Sequence, residues 1–257
     1  MSRHALIVNA DDLGLSEAVN EGILQVVRAG TATAVALLVN PPHEADLRPF
    51  LEAGVSLGLH LNLTRGRPCL PAAKIPALVD ETGQFLSARE QMLARLEEPQ
   101  ARAELTAQLE RFQEMAGQPP EQVSFHKHLH VLDERVWAMV MQLAREAGAW
   151  LRTVDAPTRR RCRAGGVATT DHFLGGVQPA PYWTLERLQE ELGRVGEGVT
   201  ELMCHPGKCR GPVEGLSYVA EREVECRTFT SAEARRRLAD CELTTFRRLG
   251  SAGRTTI

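Results

Sequence analysis

The first sixty residues alternate short apolar runs with helical periodicity, and this alternation limits the available folds more than any other feature of the chain. Ala5, Leu6, Ile7 and Val8 form a run with no polar face, the mark of a strand covered on both sides, and it ends at Asn9-Ala10-Asp11-Asp12-Leu13-Gly14. Ser16 is placed to cap a helix in which Val19, Ile23, Val26 and Val27 recur at helical spacing until Gly30 stops it. A strand is expected over 34–39, a short helix over 45–53 closed by Gly54, and a third strand over 55–63. In that third strand His60 and Asn62 share one side, while Leu59, Leu61 and Leu63 take the other. Strand, helix, strand, helix, strand is the grammar of a parallel sheet or barrel, so the fold class is expected to be α/β.

The rest of the chain continues the pattern less regularly. Residues 64–86 are rich in Pro and Gly and too long for a simple connection, so they are a candidate loop over a site. Helices are expected over 103–115, with Leu105, Leu109 and Phe112 on one stripe, and over 134–147, stopped by Gly148. The strand-like segment 150–154 places Arg152 near a strand end. Residues 155–181 carry paired glycines and read as mostly loop, with one strand near 167–170. A helix over 185–195 and a strand over 199–204 lead into His205-Pro206-Gly207. The tail offers helices near 219–226 and 231–239 and a strand-like stretch at 243–246. At 257 residues and 43% hydrophobic content the chain can bury a full core, and one domain over 1–257 is expected.

The chemistry points first to His126-Lys127-His128-Leu129-His130. It follows Val123, Ser124 and Phe125, so it reads as extended, which would set all three imidazoles on one face. Three histidines on a buried strand are costly without partners, and a metal or a carboxylate is the usual remedy. Asp11-Asp12, His60, the histidine run and His205 each fall at or near the far end of an expected strand. In parallel α/β folds that end forms the functional face. One imidazole from His60, one from the histidine run and one carboxylate would make a two-His, one-carboxylate site with open positions, suited to a catalytic divalent ion. Each residue has a plainer reading: Asp11 or Asp12 as a turn former, His60 as a core histidine, and His205-Pro206-Gly207 as a turn. Their joint placement favours function.

Other classes are disfavoured. A net charge of −3 offers no broad electropositive field for nucleic acid. Arg159, Arg160, Arg161 and Arg163 form the one basic cluster, expected to be a solvated loop, although it could meet an anionic group. No apolar run approaches the length of a membrane helix. Six cysteines without a CxxC pair, and no apolar targeting segment, point to reduced thiols and a cytoplasmic location. The oligomeric state stays open, a homodimer included.

Four motifs resemble those of the YdjC-like carbohydrate deacetylases, a family that includes chitooligosaccharide deacetylase and a hopanoid-associated member. They are Asn9-Ala10-Asp11-Asp12-Leu13-Gly14-Leu15-Ser16, Gly58-Leu59-His60-Leu61-Asn62-Leu63-Thr64, His126-Lys127-His128-Leu129-His130 and Met203-Cys204-His205-Pro206-Gly207. They occur in family order and span most of the chain. The resemblance implies an irregular (β/α) barrel, TIM-barrel-like and related to the polysaccharide deacetylases. It implies Asp12, His60 and His126 as ligands of one divalent ion, Mg2+ or Zn2+, with Asp11 as general base and His205 as general acid. His128, His130, Arg152 and Asn62 would be substrate-contacting or would support the ligands. The implied substrate is an N-acetylated sugar or oligosaccharide, which would lose acetate. The sequence departs from the family pattern at Ser124 and Phe125, where Asp and a small residue are usual, and at Asp133, where proline is common. Two other readings remain: a metal-dependent hydrolase of another amide, ester or phosphate, and a non-catalytic sugar- or metal-binding barrel.

Overall fold

The computed structural model describes residues 4–40, 45–209, 211 and 217–250. Among these residues, eight strands form one sheet: β1 (Ala5–Leu13), β2 (Ala34–Leu37), β3 (Ser56–Leu61), β4 (Gln122–Phe125), β5 (Trp150–Leu151), β6 (His172–Leu174), β7 (Val199–Cys204) and β8 (Glu242–Leu243). The strand order is β5-β4-β3-β2-β1-β7-β6, with β8 paired to the start of β1, and every pairing is parallel. The sheet curls until its two ends are bridged by residues 168–171. Leu151 N donates to Ala168 O at 2.8 Å, and Asp171 N donates to Val199 O at 2.7 Å. The result is an irregular (β/α) barrel.

Among the described residues, ten helices accompany the strands: α1 (Glu17–Arg28), α2 (Arg48–Glu52), α3 (Arg89–Arg95), α4 (Glu98–Ala116), α5 (Glu134–Ala147), α6 (Ala156–Ala164), α7 (Leu185–Leu192), α8 (Ala220–Thr230), α9 (Ala232–Ala239) and α10 (Phe246–Leu249). Strand alternation separates two environments. Leu6, Val8 and Ala10 join Val19, Ile23 and Val26 of α1 in the main apolar core. Ile7 packs instead with Ala34 and Phe246. Further along the same side of β1, Asn9 Nδ2 donates to Glu201 Oε1 at 2.9 Å. Gln122 Nε2 and Arg152 Nε donate to that oxygen too, at 3.3 and 2.8 Å. The barrel interior here is polar: one oxygen of Glu201 gathers three donors, which offsets part of the cost of burying its charge, while Asn9 Oδ1, Gln122 Oε1 and Glu201 Oε2 find no partner among the described residues.

Several sequence expectations need correction. The histidine run is not a strand: β4 stops at Phe125, and His126–Val131 is a 3-10 turn in which Lys127 (φ 57°) and His128 (φ 54°) are left-handed. The three imidazoles therefore share no face. β1 does not end before the acidic pair but runs through it to Leu13. The segment expected to be mostly loop contains α6, capped by Asp155 and Thr158 in a reciprocal box, and its strand lies at β6 rather than at 167–170. Thr158 and Cys162 are the buried residues of α6, so no apolar stripe advertised it. In the tail, β8 is followed by a helical turn capped by Thr245 instead of more strand. The strand expected over 150–154 shortens to β5, with Arg152 just beyond its end.

Candidate active site

The site begins with a flaw in the β1 ladder. Between Ala10↔Val35 and Leu13↔Leu37, β1 advances three residues while β2 advances two. The extra residue makes a bulge, and Asp12 adopts φ 74° within it. Strict alternation would send neighbouring side chains to opposite faces. The bulge lets Asp11 and Asp12 reach the same cleft, and Asp is among the few residue types that tolerate the left-handed region.

Asp12 Oδ1 lies 3.0 Å from His126 Nδ1 and 3.5 Å from His60 Nε2. Potential ligand atoms of Asp12, His60 and His126 all lie within 4.8 Å of one another, so the three could hold a metal ion. Their chemistry fits a divalent cation. Burial would raise the Asp12 pKa, but Arg222 first and His126 second hold it well below the usual carboxylate range, so it is ionised. Burial lowers the pKa of His126 and favours the neutral, ligating imidazole. His60 is oriented from behind, its Nδ1 lying 2.7 Å from Ser124 Oγ, its partner in register on β4. Ser124, a departure from the family pattern, supports a candidate ligand directly.

Asp11 is gripped by Arg152, whose Nη1 and Nη2 donate to its two oxygens at 2.5 and 2.8 Å. Burial would raise its pKa, yet Arg152, with His60 next, holds it down to about 2. His205 follows β7 and lines the same cleft. Burial pushes its pKa down to about 4 against the pull of Asp12, so the resting imidazole is neutral at pH 7.

The other candidates separate. His128 lines the cleft and meets the Phe173 ring edge-on at 6.0 Å. His130 does not line it: fully buried, it stacks between Phe125 and Trp137, and its Nε2–H donates to Arg152 O at 3.0 Å. It therefore fixes the backbone that carries Arg152, and Phe125, a second departure, is one of its stacking partners. Asp133, the third, caps α5. Asn62 shapes the base of the following loop, bonding Asn40 Oδ1, Arg65 O and Thr64 N. The basic cluster lies outside the cleft on α6, where Arg161 pairs with Glu134 and Arg163 with Asp171.

Arg222, Glu201 and Glu225 escaped the sequence reading. Arg222 Nη2 donates to Asp12 Oδ2 at 2.5 Å. Glu201 carried a readable signal, a lone carboxylate inside the buried run of β7, four residues before His205. The cleft has a volume of about 1880 Å3, and the 64–86 segment lines part of it, as a loop over a site should.

The parallel barrel thus carries at one end a buried Asp-His-His group that could hold a metal ion, with a second Asp and a second His on the same cleft. The chain belongs to the YdjC-like protein family, whose profile matches residues 5–240. It is 36% identical over 230 residues to a carbohydrate deacetylase of Geobacillus stearothermophilus, covering 87% of this chain and 88% of that one. It is 32% identical over 248 residues to a chitooligosaccharide deacetylase of Proteus mirabilis, covering 92% and 94%. In structure it is similar to a candidate cellobiose-phosphate cleavage protein of Enterococcus faecalis V583, with a TM-score of 0.82, 25% identity, and coverage of 96% of this chain and 99% of that one. Among the described residues, no helix is long and apolar enough to cross a membrane.

Proposed function

We propose that this chain is a single-domain, metal-dependent carbohydrate N-deacetylase that removes an acetyl group from an N-acetylated sugar or oligosaccharide and releases acetate. The observation that carries the reading is the Asp12-His60-His126 group with Asp11 and His205 on the same cleft. The names of the two bacterial relatives support the substrate class. The volume of the cleft suits a sugar larger than a monosaccharide.

Asp12, His60 and His126 would hold one divalent ion, Mg2+ or Zn2+. When bound, such an ion lowers the pKa of a coordinated water toward about 7 and polarises a carbonyl oxygen. Asp11, ionised and fixed by Arg152, accepts the proton of the water as its oxygen adds to the acetyl carbon. His205 supplies a proton to the departing sugar nitrogen as the C–N bond breaks. It rests neutral and takes that proton from solvent as negative charge builds beside it, since nearby anions favour the imidazolium. The proton held by Asp11 and the acid proton of the released acetic acid then pass to solvent, and the products are acetate and an amino sugar. A cytoplasmic location belongs to the same proposal, supported by six unpaired thiols.

Mass spectrometry of a panel of N-acetylated sugars, incubated with metal-loaded protein, tests the reading. Loss of one acetyl group with matching acetate is expected. Release of phosphate from a phosphorylated sugar, with every acetyl group retained, would replace it with the other hydrolase reading.

A further inference from the structure

His205 has an unusual setting for a proton donor. Its ring Nδ1 is buried and has no hydrogen-bond partner among the described residues. Imidazoles that move protons are commonly oriented by a carboxylate or carbonyl at the second ring nitrogen. Here the backbone is gripped instead. His205 N donates to Glu225 Oε2 at 2.6 Å, and the other oxygen of Glu225 accepts the Tyr218 hydroxyl at 2.5 Å. Tyr218 Oη in turn accepts Tyr182 N at 2.8 Å. The Tyr218 ring meets the His205 ring edge-on, with centroids 5.9 Å apart.

Glu225 thus holds both the backbone that carries the imidazole and the aromatic ring packed against it. The opposite side of the turn is closed by α1: a Cβ added to Gly22 would lie 2.4 Å from Gly207 Cα, so only glycine lets the two backbones approach this closely. Three residues before Glu225 on α8, Arg222 Nη2 reaches Asp12 Oδ2, and Arg222 O accepts Gly207 N at 3.0 Å. Residues three apart lie on one helix face. One face of α8 therefore spans from a candidate metal ligand to the segment of the candidate acid. A wholly buried acidic group is an expensive way to pack a helix; burial pushes the Glu225 pKa up to about 7, and its oxygens are met by the His205 amide, the Tyr218 hydroxyl and the Trp183 backbone.

We infer that Glu225 is a positioning residue for His205, acting through the His205 amide and through Tyr218, and that α8 fixes the placement of His205 relative to Asp12. The inference rests on the deacetylase reading, in which His205 is the acid.

The test compares Glu225→Gln and Tyr218→Phe in the wild-type and His205→Ala backgrounds, with kcat, KM and bound metal read for each metal-loaded protein. Each substitution is expected to lower kcat about 10- to 100-fold in the wild-type background, the scale of a misplaced catalytic group, with KM and metal content little changed. In the His205→Ala background the same substitutions should alter the residual rate less than about 2-fold, because their effect passes through the missing ring. Equal fold losses in both backgrounds, or an unchanged kcat, would overturn the inference. If Glu225→Gln fails to fold, Tyr218→Phe, which keeps the carboxylate, carries the test. If the wild type releases no acetate, the deacetylase reading fails, and the His205 ring 15N resonances decide the positioning claim alone. A changed signal in Tyr218→Phe supports it, and an identical one overturns it.

Discussion

Arg152 holds both oxygens of Asp11 with two hydrogen bonds, while its Nε bonds Glu201 Oε1 at 2.8 Å, so one guanidinium bridges two carboxylates inside the barrel. All three side chains are buried. A buried pair contributes little over a well-packed apolar substitute, but removing one partner leaves uncompensated charge. Arg152→Met is therefore expected to lower the stability of the metal-free protein by about 3–5 kcal/mol, read by urea unfolding at neutral pH. A loss below about 1 kcal/mol would show that the carboxylates find other compensation.

Ser124 touches His60 rather than the cleft centre, and its effect should appear in ion affinity. Groups that orient a ligating imidazole are typically worth about 10- to 100-fold in metal affinity. Ser124→Ala should weaken the dissociation constant by that factor, measured by competition with a chromophoric chelator. An unchanged constant would mean that β3 alone fixes the ring.

His205→Ala separates proton delivery from ion binding. The variant should keep a full complement of metal by elemental analysis and lose about 10²- to 10⁴-fold in kcat, the usual range for a positioned acid. Undiminished turnover would remove His205 from the reaction.

His130 makes acid stability measurable. Burial lowers its pKa from 6.5 to about 4, so between those values the folded state binds fewer protons than the unfolded chain. Its contribution is fully present above pH 6.5 and is lost as the pH falls through that window toward about 4. The loss is about 3 kcal/mol by linkage. His130→Phe should flatten this part of the stability profile of the metal-free protein, measured by denaturant unfolding across the window. A profile as steep as that of the wild type would assign the acid sensitivity to other groups.

The opening strands and α1 were legible because their burial is periodic: the apolar run of β1 and the Val19-Ile23-Val26 stripe carry their environment in the sequence. The Asp12, His60 and His126 group was legible through motifs. What was not legible is that His128 and His130 part from His126, since that depends on the left-handed turn at Lys127 and His128, a conformation that propensity disfavours in non-glycine residues. Likewise, nothing local announces that β1 bulges at Asp12. Arg222 and Glu225 were hidden because their partners lie 210 and 20 residues away along the chain, on a helix with little apolar patterning. Helix α6 was missed for the same lack of pattern.

The account depends on one ion shared by Asp12, His60 and His126 and required for deacetylation. Titrating a divalent metal into chelator-treated protein, while following acetate released from an N-acetylated sugar, tests this most directly. The rate should rise from background and level off at one ion per chain, and Asp12→Asn should stay at background throughout. Full acetate release by the metal-free protein, or by Asp12→Asn, would contradict the account.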